Sequence, residues 1–419
     1  MPHVSSEVGR LRKVVVQRPG PAHAAMRPAH LEPDSPDYLL FDDLVHVPTA
    51  QAEHDQLARV LSAAAEVRYL DRLLVEALSG EAAREGLIVR VAELEGLVAT
   101  TVAELRAMDP EALELALTTG LVNGRAAMNP LPNLLFTRDL AAMVGDLLIV
   151  SNASKRARRR ESLLTWTIVD NHPWFSEATV STQSRKVRDR GGSYPATIEG
   201  GDVLVVSPTL AVIGASERTT WSMIVRLAQE LCSEQGFTRV LVAEMPKQRS
   251  SMHLDTVFTL LDHDRCVVYG PILQSGQPEE CSVLRLRASP GGLVVDDVHG
   301  HLVQALEAEG HPMEVVLCGG GDMLHARREQ WTDGANFVCL APGVVVGYAR
   351  NIHTNAALGE AGFEVLAAED WLDLLAREFG GDFDALVASG RHFAVGITGS
   401  ELVRGRGGPR CLTFPVLRD

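Results

Sequence analysis

The sequence predicts an α/β fold in which strand pairs, each followed by an amphipathic helix, form a ring closed by its two ends, with an all-helical insertion. Three observations carry this. Two apolar runs around a short turn, leading into a helical stretch, recur along the chain. Residues 69–129 break that rhythm and contain no convincing strand. Polar residues with chemical capacity fall at equivalent places, just before the first strand of successive units.

In chain order, VVVQRPG near the start supplies a strand whose partner is CLTFPVL at the far end, a pairing that hides two sheet edges. Within 69–129, MDPEALELALTTG reads as a helix with Asp109 at the N-cap, Pro110 at the first helical position and Gly120 just past the end. LAAMVGDLLIVS (140–151) turns at Gly145-Asp146 and leads into RRRESLLTWTIV. DVLVVSPTLAVIG (202–214) turns at Ser207-Pro208 and leads into TTWSMIVRLAQELC, where Ile224, Leu227, Ala228 and Leu231 share one face. DTVFTLLDHDRCVVYG (255–270) and NFVCLAPGVVVGY (336–348) turn at His263-Asp264 and Pro342-Gly343. A second interruption, 367–395, reads as helical, and HGH (299–301) as a solvated loop.

A chain of 419 residues with 46% hydrophobic and 22% charged residues buries a large core. Its net charge of -15 argues against a nucleic-acid partner, which needs a clustered excess of Lys and Arg. Local positive clusters, KRARRR (155–160) and RGRGGPR (404–410), suit a small anionic group. No run is apolar enough for a signal peptide or long enough to span a bilayer. Six scattered cysteines without CxxC spacing fit free thiols in a reducing cytoplasm and suggest no metal.

FTRD139, IEGGD202, MHLD255 and PRC411 stand before successive first strands, so their side chains converge near the axis of the ring. Arg158 follows Asp139 by nineteen positions, and Arg218 follows Glu199 by nineteen. Such matched register points to one pocket rather than to unrelated surface pairs. A thiol at Cys411 needs a cationic neighbour or a base to become a nucleophile, and His253 titrates near neutrality. Asp139, Asp255 and Glu199 would repel one another unless the ligand is itself a cation. Carboxylates grip a planar guanidinium in paired, charge-assisted bonds, and such a cation favours the thiolate. Arg158 and Arg218 could hold a carboxylate at the ligand's other end, which makes the ligand arginine-like. Singly each residue has a plainer reading: Cys411 as buried filler, His253 as a satisfied core histidine, the aspartates as strand-start caps, and Asp202 as part of a turn.

LRKVVVQRPG, LLFDDLVHV, PLPNLLFTRD, ARRRESLL, IEGGDVLV, GASERT, MHLDTVFTLLD, REQWTDGANFVCLAPGVVVGYARN and GSELVRGRGGPRCLTFPVLRD together resemble the arginine deiminase family of the pentein, or guanidino-modifying, group. The resemblance implies a five-module ββαβ propeller (1–68 and 130–419) carrying a helical insertion (69–129). It also implies cofactor-free hydrolysis of L-arginine to L-citrulline and ammonia by a cytoplasmic homo-oligomer. Carried over, Cys411 is the nucleophile and His253 the general acid and base; Asp139 and Asp255 bind the guanidinium, and Glu199 binds it while orienting His253. Asn133, Arg158 and Arg218 hold the α-carboxylate and amino end, Phe136 packs along the stem, and Arg406 sits on a mobile glycine-rich loop whose arginines keep it solvated. Three alternatives remain: an amidinotransferase, a hydrolase of a modified arginine, and a non-catalytic binding protein, for which a thiolate site has no use.

Overall fold

The structure, a computed structural model, describes residues 1–189, 196–273 and 279–419, with the backbone alone at 297–299. The described residues form a mixed α/β fold without a closed barrel. Among the described residues, five sheets repeat one pattern: an antiparallel strand pair, then a third strand added parallel to the second after a crossover. In the first sheet the last strand, Phe414–Arg418, pairs antiparallel with Leu11–Val16, and Glu66–Tyr69 joins Leu11–Val16 in parallel. The second is Ala141–Val144, Leu147–Val150 and Thr179–Val180. The third begins Val203–Ser207, Leu210–Ala215, Arg239–Glu244 and is extended by the hairpin Ser282–Ser289/Gly292–His299. The fourth is Phe258–Asp262, Arg265–Val268 and Glu314–Leu317. The fifth pairs Val338–Ala341, Val344–Tyr348 and Phe393–Ile397, with Glu364–Ala367 at its edge.

Central strands such as Leu147–Val150 and Leu210–Ala215 are buried throughout, as continuous apolar runs covered on both faces should be. Helices Arg159–Asn171 and Trp221–Glu234 follow their strand pairs, and the second buries the expected face, with Ile224, Leu227, Ala228 and Leu231 all buried. Leu70–Leu78, Glu81–Glu95, Ala99–Arg106 and Pro110–Thr119 are helices. The Asp109 side chain accepts from Ala112 N–H at 2.8 Å, and Gly120 is left-handed. Leu73, Leu87, Val91, Leu105, Leu113 and Leu117 from these helices share one hydrophobic cluster with Ala141–Val144, Leu147–Val150, Leu164 and Phe414. No helix among the described residues is long and apolar enough to cross a membrane.

Four local expectations need correction. A two-residue strand pair, Leu121–Val122 with Arg125–Ala126, lies inside 69–129, because Asn123 and Gly124 are both left-handed and form a tight turn. Residues 367–395 hold helices Ala368–Phe379 and Phe383–Ala388, but the end belongs to strand Phe393–Ile397. Ser207 pairs with Leu210, moving that turn to Pro208-Thr209. HGH is no solvated loop: His299 ends a strand, with its side chain outside the described residues, and His301 caps the helix Leu302–Ala308 through its ring.

Candidate active site

Each sheet's first strand is entered through a short polar segment, and these segments meet. Thr137–Leu140 carries Asp139, Glu199 precedes Gly200–Asp202, His253 precedes Leu254–Thr256 with Asp255 inside it, and Cys411 lies just before Phe414–Arg418. Close approach is possible because Gly201 has no side chain: a Cβ there would lie 2.8 Å from the His253 ring and 3.0 Å from Asp139 Oδ1. Eight of the ten residues singled out above line one narrow cavity: Asn133, Phe136, Asp139, Arg158, Arg218, His253, Arg406 and Cys411. Glu199 and Asp255 stand behind them and touch His253 and Cys411.

His253 Nε2 is 2.9 Å from Glu199 Oε2, and its Nδ1 is 3.6 Å from Asp139 Oδ1. Burial alone would lower the His253 pKa, but Asp139, Glu199 and Asp202 outweigh it and raise it to about 9, so the ring is an imidazolium at neutral pH. Glu199 is likewise buried, yet Arg218, His253 and Arg158 hold it well below the usual carboxylate range. The Cys411 thiol is pushed well above its ordinary value, first by burial and then by Asp255, Asp139 and Asp333, with Arg410 opposing. Its S–H donates to Asp255 Oδ2 at 3.6 Å.

Asp255 Oδ2 also accepts from Arg410 Nη1 at 2.8 Å, while Arg410 reaches Glu7 at 3.0 Å. Asp139 Oδ1 and Asp255 Oδ1 are buried and accept no hydrogen bond. Two such acceptors are unusual in a protein interior and suit a planar cationic donor. Asp139, Glu199 and His253 atoms also lie within 4.8 Å of one another, a spacing a metal ion could use. Held as an imidazolium, however, His253 has no lone pair to offer, and Arg158 and Arg218 already supply the countercharge.

Arg158 pairs with Asp139 through Nη1 and with Glu161 through Nε at 2.9 Å; its Nη1 lies 3.5 Å from Glu199, and its Nη2 donates to Asn133 O at 3.1 Å. Arg218 Nη1 is 3.5 Å from Glu199 Oε2. The Asn133 amide donates to Leu39 O at 2.7 Å, and the Phe136 ring packs on Phe41.

The glycine-rich loop differs from the solvated cationic segment expected. Arg404 is exposed and pairs with Asp43, but Arg406 and Arg410 are buried. The Arg406 guanidinium lies 3.6 Å above the centre of the half-exposed Trp331 ring. Gly405 and Gly407 press against Phe136, where a Cβ would meet the ring at 2.8 and 2.3 Å, so these glycines serve close packing.

Residues not singled out from the sequence also stand here. Asn336 donates from Nδ2 to Cys411 Sγ at 3.2 Å, and Asp333 is buried near Arg406 and raised to about 7 by burial. Asn336 precedes the first strand of the fifth sheet, the place equivalent to the four polar segments already read, so position in the repeat was the signal available.

A family model described as arginine deiminase matches residues 37–119 and 93–418. Arginine deiminases of Bacillus cereus strain B4264 and Mycobacterium bovis strain BCG are each 36% identical to the chain, over 99% of it and 98% of their own length. Among solved structures, the product-bound N-terminal domain of ArgZ, an arginine dihydrolase from the ornithine-ammonia cycle in cyanobacteria, matches with TM-score 0.51 and 12% identity over 97% of both chains. AgrE with ornithine and NAD+ matches with TM-score 0.52 and 13% identity over 98% of this chain, which spans 40% of that longer one. At such identities these two likenesses show a shared fold.

Proposed function

The chain belongs to the arginine deiminase family, and from that premise we propose that it hydrolyses L-arginine to L-citrulline and ammonia through a covalent adduct on Cys411. One observation carries the reading: a buried thiol, an imidazolium and a free Asp139 oxygen line a single cavity, and a second free carboxylate oxygen, on Asp255, stands directly behind the thiol.

A guanidinium held by Asp139 and Asp255 offsets two of the three carboxylates that raise the Cys411 thiol, and adds a cation beside the sulfur. As the guanidinium binds, the S–H proton leaves to solvent, and the resulting thiolate attacks the guanidinium carbon to give a neutral tetrahedral adduct. The protonated His253 then donates its proton to the departing nitrogen; ammonia leaves, and an S-alkylthiouronium cation remains on Cys411. Neutral His253 takes a proton from water as the water attacks the same carbon. Collapse breaks the C–S bond, returns the thiolate, and releases citrulline once its oxygen loses a proton; His253 ends protonated as it began. Glu199, at 2.9 Å, stabilises the imidazolium and fixes the ring. Arg218, with Arg158 and Asn133, is assigned to the carboxylate end of the substrate, Phe136 to its stem and Arg406 to the cavity mouth.

The same reading treats the five sheets as blades of a pentein propeller formed by 1–68 and 130–419, with 69–129 inserted after the first blade. Equivalent loops meeting at the cavity support it.

Incubating the purified protein with arginine tests the function: citrulline and ammonia in equal amounts are expected. Ornithine as the product from arginine would instead indicate amidino transfer. Cys411→Ser should abolish turnover and leave the circular dichroism unchanged; citrulline production by that variant would overturn the assignment.

A further inference from the structure

Asn336 is completely buried and uses its whole amide beside Cys411. Nδ2 donates to Cys411 Sγ at 3.2 Å and to Asp255 O at 2.9 Å; Oδ1 accepts from Arg410 N–H at 3.0 Å and from Cys411 N–H at 3.1 Å. The network fixes which way the amide faces, because a flipped group would set NH2 against two backbone N–H donors. Gly408 lets the loop approach: a Cβ there would lie 2.6 Å from Asn336 Oδ1. A buried side chain with every bond used and one donor on a sulfur is a costly arrangement for packing alone.

Resting on the reading of Cys411 as nucleophile, we propose that Asn336 is a further catalytic residue, whose side-chain N–H stabilises the Cys411 thiolate both before attack and when the sulfur is expelled. The charged and titratable groups around this sulfur include Asp255, Asp139, Asp333, Tyr348, Arg410 and Arg406, and the His253 imidazolium lines the same cavity, held by Glu199. All the carboxylates among them oppose the thiolate, and both arginines are engaged elsewhere, Arg410 by Asp255 and Glu7 and Arg406 by the Trp331 face. Asn336 supplies a neutral, directional donor at the sulfur itself. The same amide orients the backbone that carries Cys411, so sulfur position and thiolate stability are set by one group. It holds in the fifth sheet the place that Asp139, Glu199 and Asp255 hold in theirs.

The test measures ionisation of Cys411 apart from turnover. The protein is alkylated with iodoacetamide across a pH series, and the Cys411 peptide is quantified by mass spectrometry for wild type, Asn336→Asp and Asn336→Ala. Asn336→Asp keeps the oxygen that holds Arg410 and Cys411 N–H and loses the donor to sulfur. In both variants the half-maximal pH for Cys411 alkylation should rise by about one unit or more, a tenfold loss of labelling at neutral pH. The kcat should fall with it, while KM for arginine changes less than about threefold. An unchanged labelling profile in either folded variant overturns the proposal. Should neither variant fold, the side-chain amide protons of Asn336 in 15N-labelled wild type decide: they should shift downfield as Cys411 ionises, and no shift overturns it. Turnover retained by Cys411→Ala would instead sink the nucleophile assignment, leaving the labelling result to report on the hydrogen bond alone.

Discussion

Arg158 and Asp139, nineteen residues apart, form a buried ion pair in the wall of the cavity, and Glu199 and Arg218, also nineteen apart, stand in the same relation one sheet further on. The recurrence seen in the sequence is thus a repeated contact. It gives Arg158 an additional part, because the carboxylate assigned to the substrate's guanidinium is already bound by a guanidinium of the protein. Arg158 holds Oδ2 and leaves Oδ1, which accepts no hydrogen bond, to the guanidinium of the substrate.

Replacing Arg158 by Met leaves Asp139, Glu161 and Glu199 buried with one countercharge fewer. Loss of about 3–5 kcal/mol of stability is expected from urea unfolding at pH 7. Glu161, already raised to about 7 by burial against the pull of Arg158, should then take up a proton at neutral pH.

His253 carries a pH signature. Its value is raised from 6.5 to about 9, so the stability it contributes is fully present below pH 6.5 and is lost as pH rises to about 9. Across that window the stability gap between wild type and His253→Asn should shrink by up to about 3 kcal/mol. A constant gap in denaturant titrations from pH 6 to 9.5 would contradict the raised value.

Gly408→Ala adds a Cβ 2.6 Å from Asn336 Oδ1 and 2.9 Å from Asn336 O. Neither backbone nor amide can yield without displacing Cys411. The kcat should fall about 100-fold, as expected for a reacting group misplaced by an ångström. Near-wild-type circular dichroism would accompany this loss.

Trp331→Ala removes the platform under Arg406. Cation–π contacts of this kind contribute roughly 0.5–2 kcal/mol, so KM for arginine should rise about 2- to 30-fold with a smaller change in kcat. Steady-state kinetics on arginine check it.

Charged and thiol-bearing side chains made most of the cavity readable before the fold was known. Asp139, Glu199, His253, Asp255 and Cys411 each precede an apolar run, and the structure brings them together. Asn336 escaped because a neutral amide before a strand is chemically silent until a sulfur stands 3.2 Å away. Of the partners of Arg158, the nineteen-residue spacing pointed to Asp139, whereas Glu161 and Glu199 carried no such mark. The loop arginines misled, since Arg406 and Arg410 are buried by an indole and two acids contributed from distant segments. The hairpin Ser282–Ser289/Gly292–His299 also went unread; it extends a sheet edge, so SVLRLRAS is only partly covered and lacks a continuous apolar run.

The apolar residues of the helices between residues 70 and 119 are continuous with the core of the sheets, since Leu87, Leu113 and their neighbours belong to the same cluster as Leu147–Val150 and Phe414 of the closing strand. Heat therefore finds no seam between them and the sheets, and calorimetry should record a single cooperative melt. Excising this segment to make a minimal enzyme would strip an apolar wall from the sheets it packs on, and the trimmed protein should aggregate.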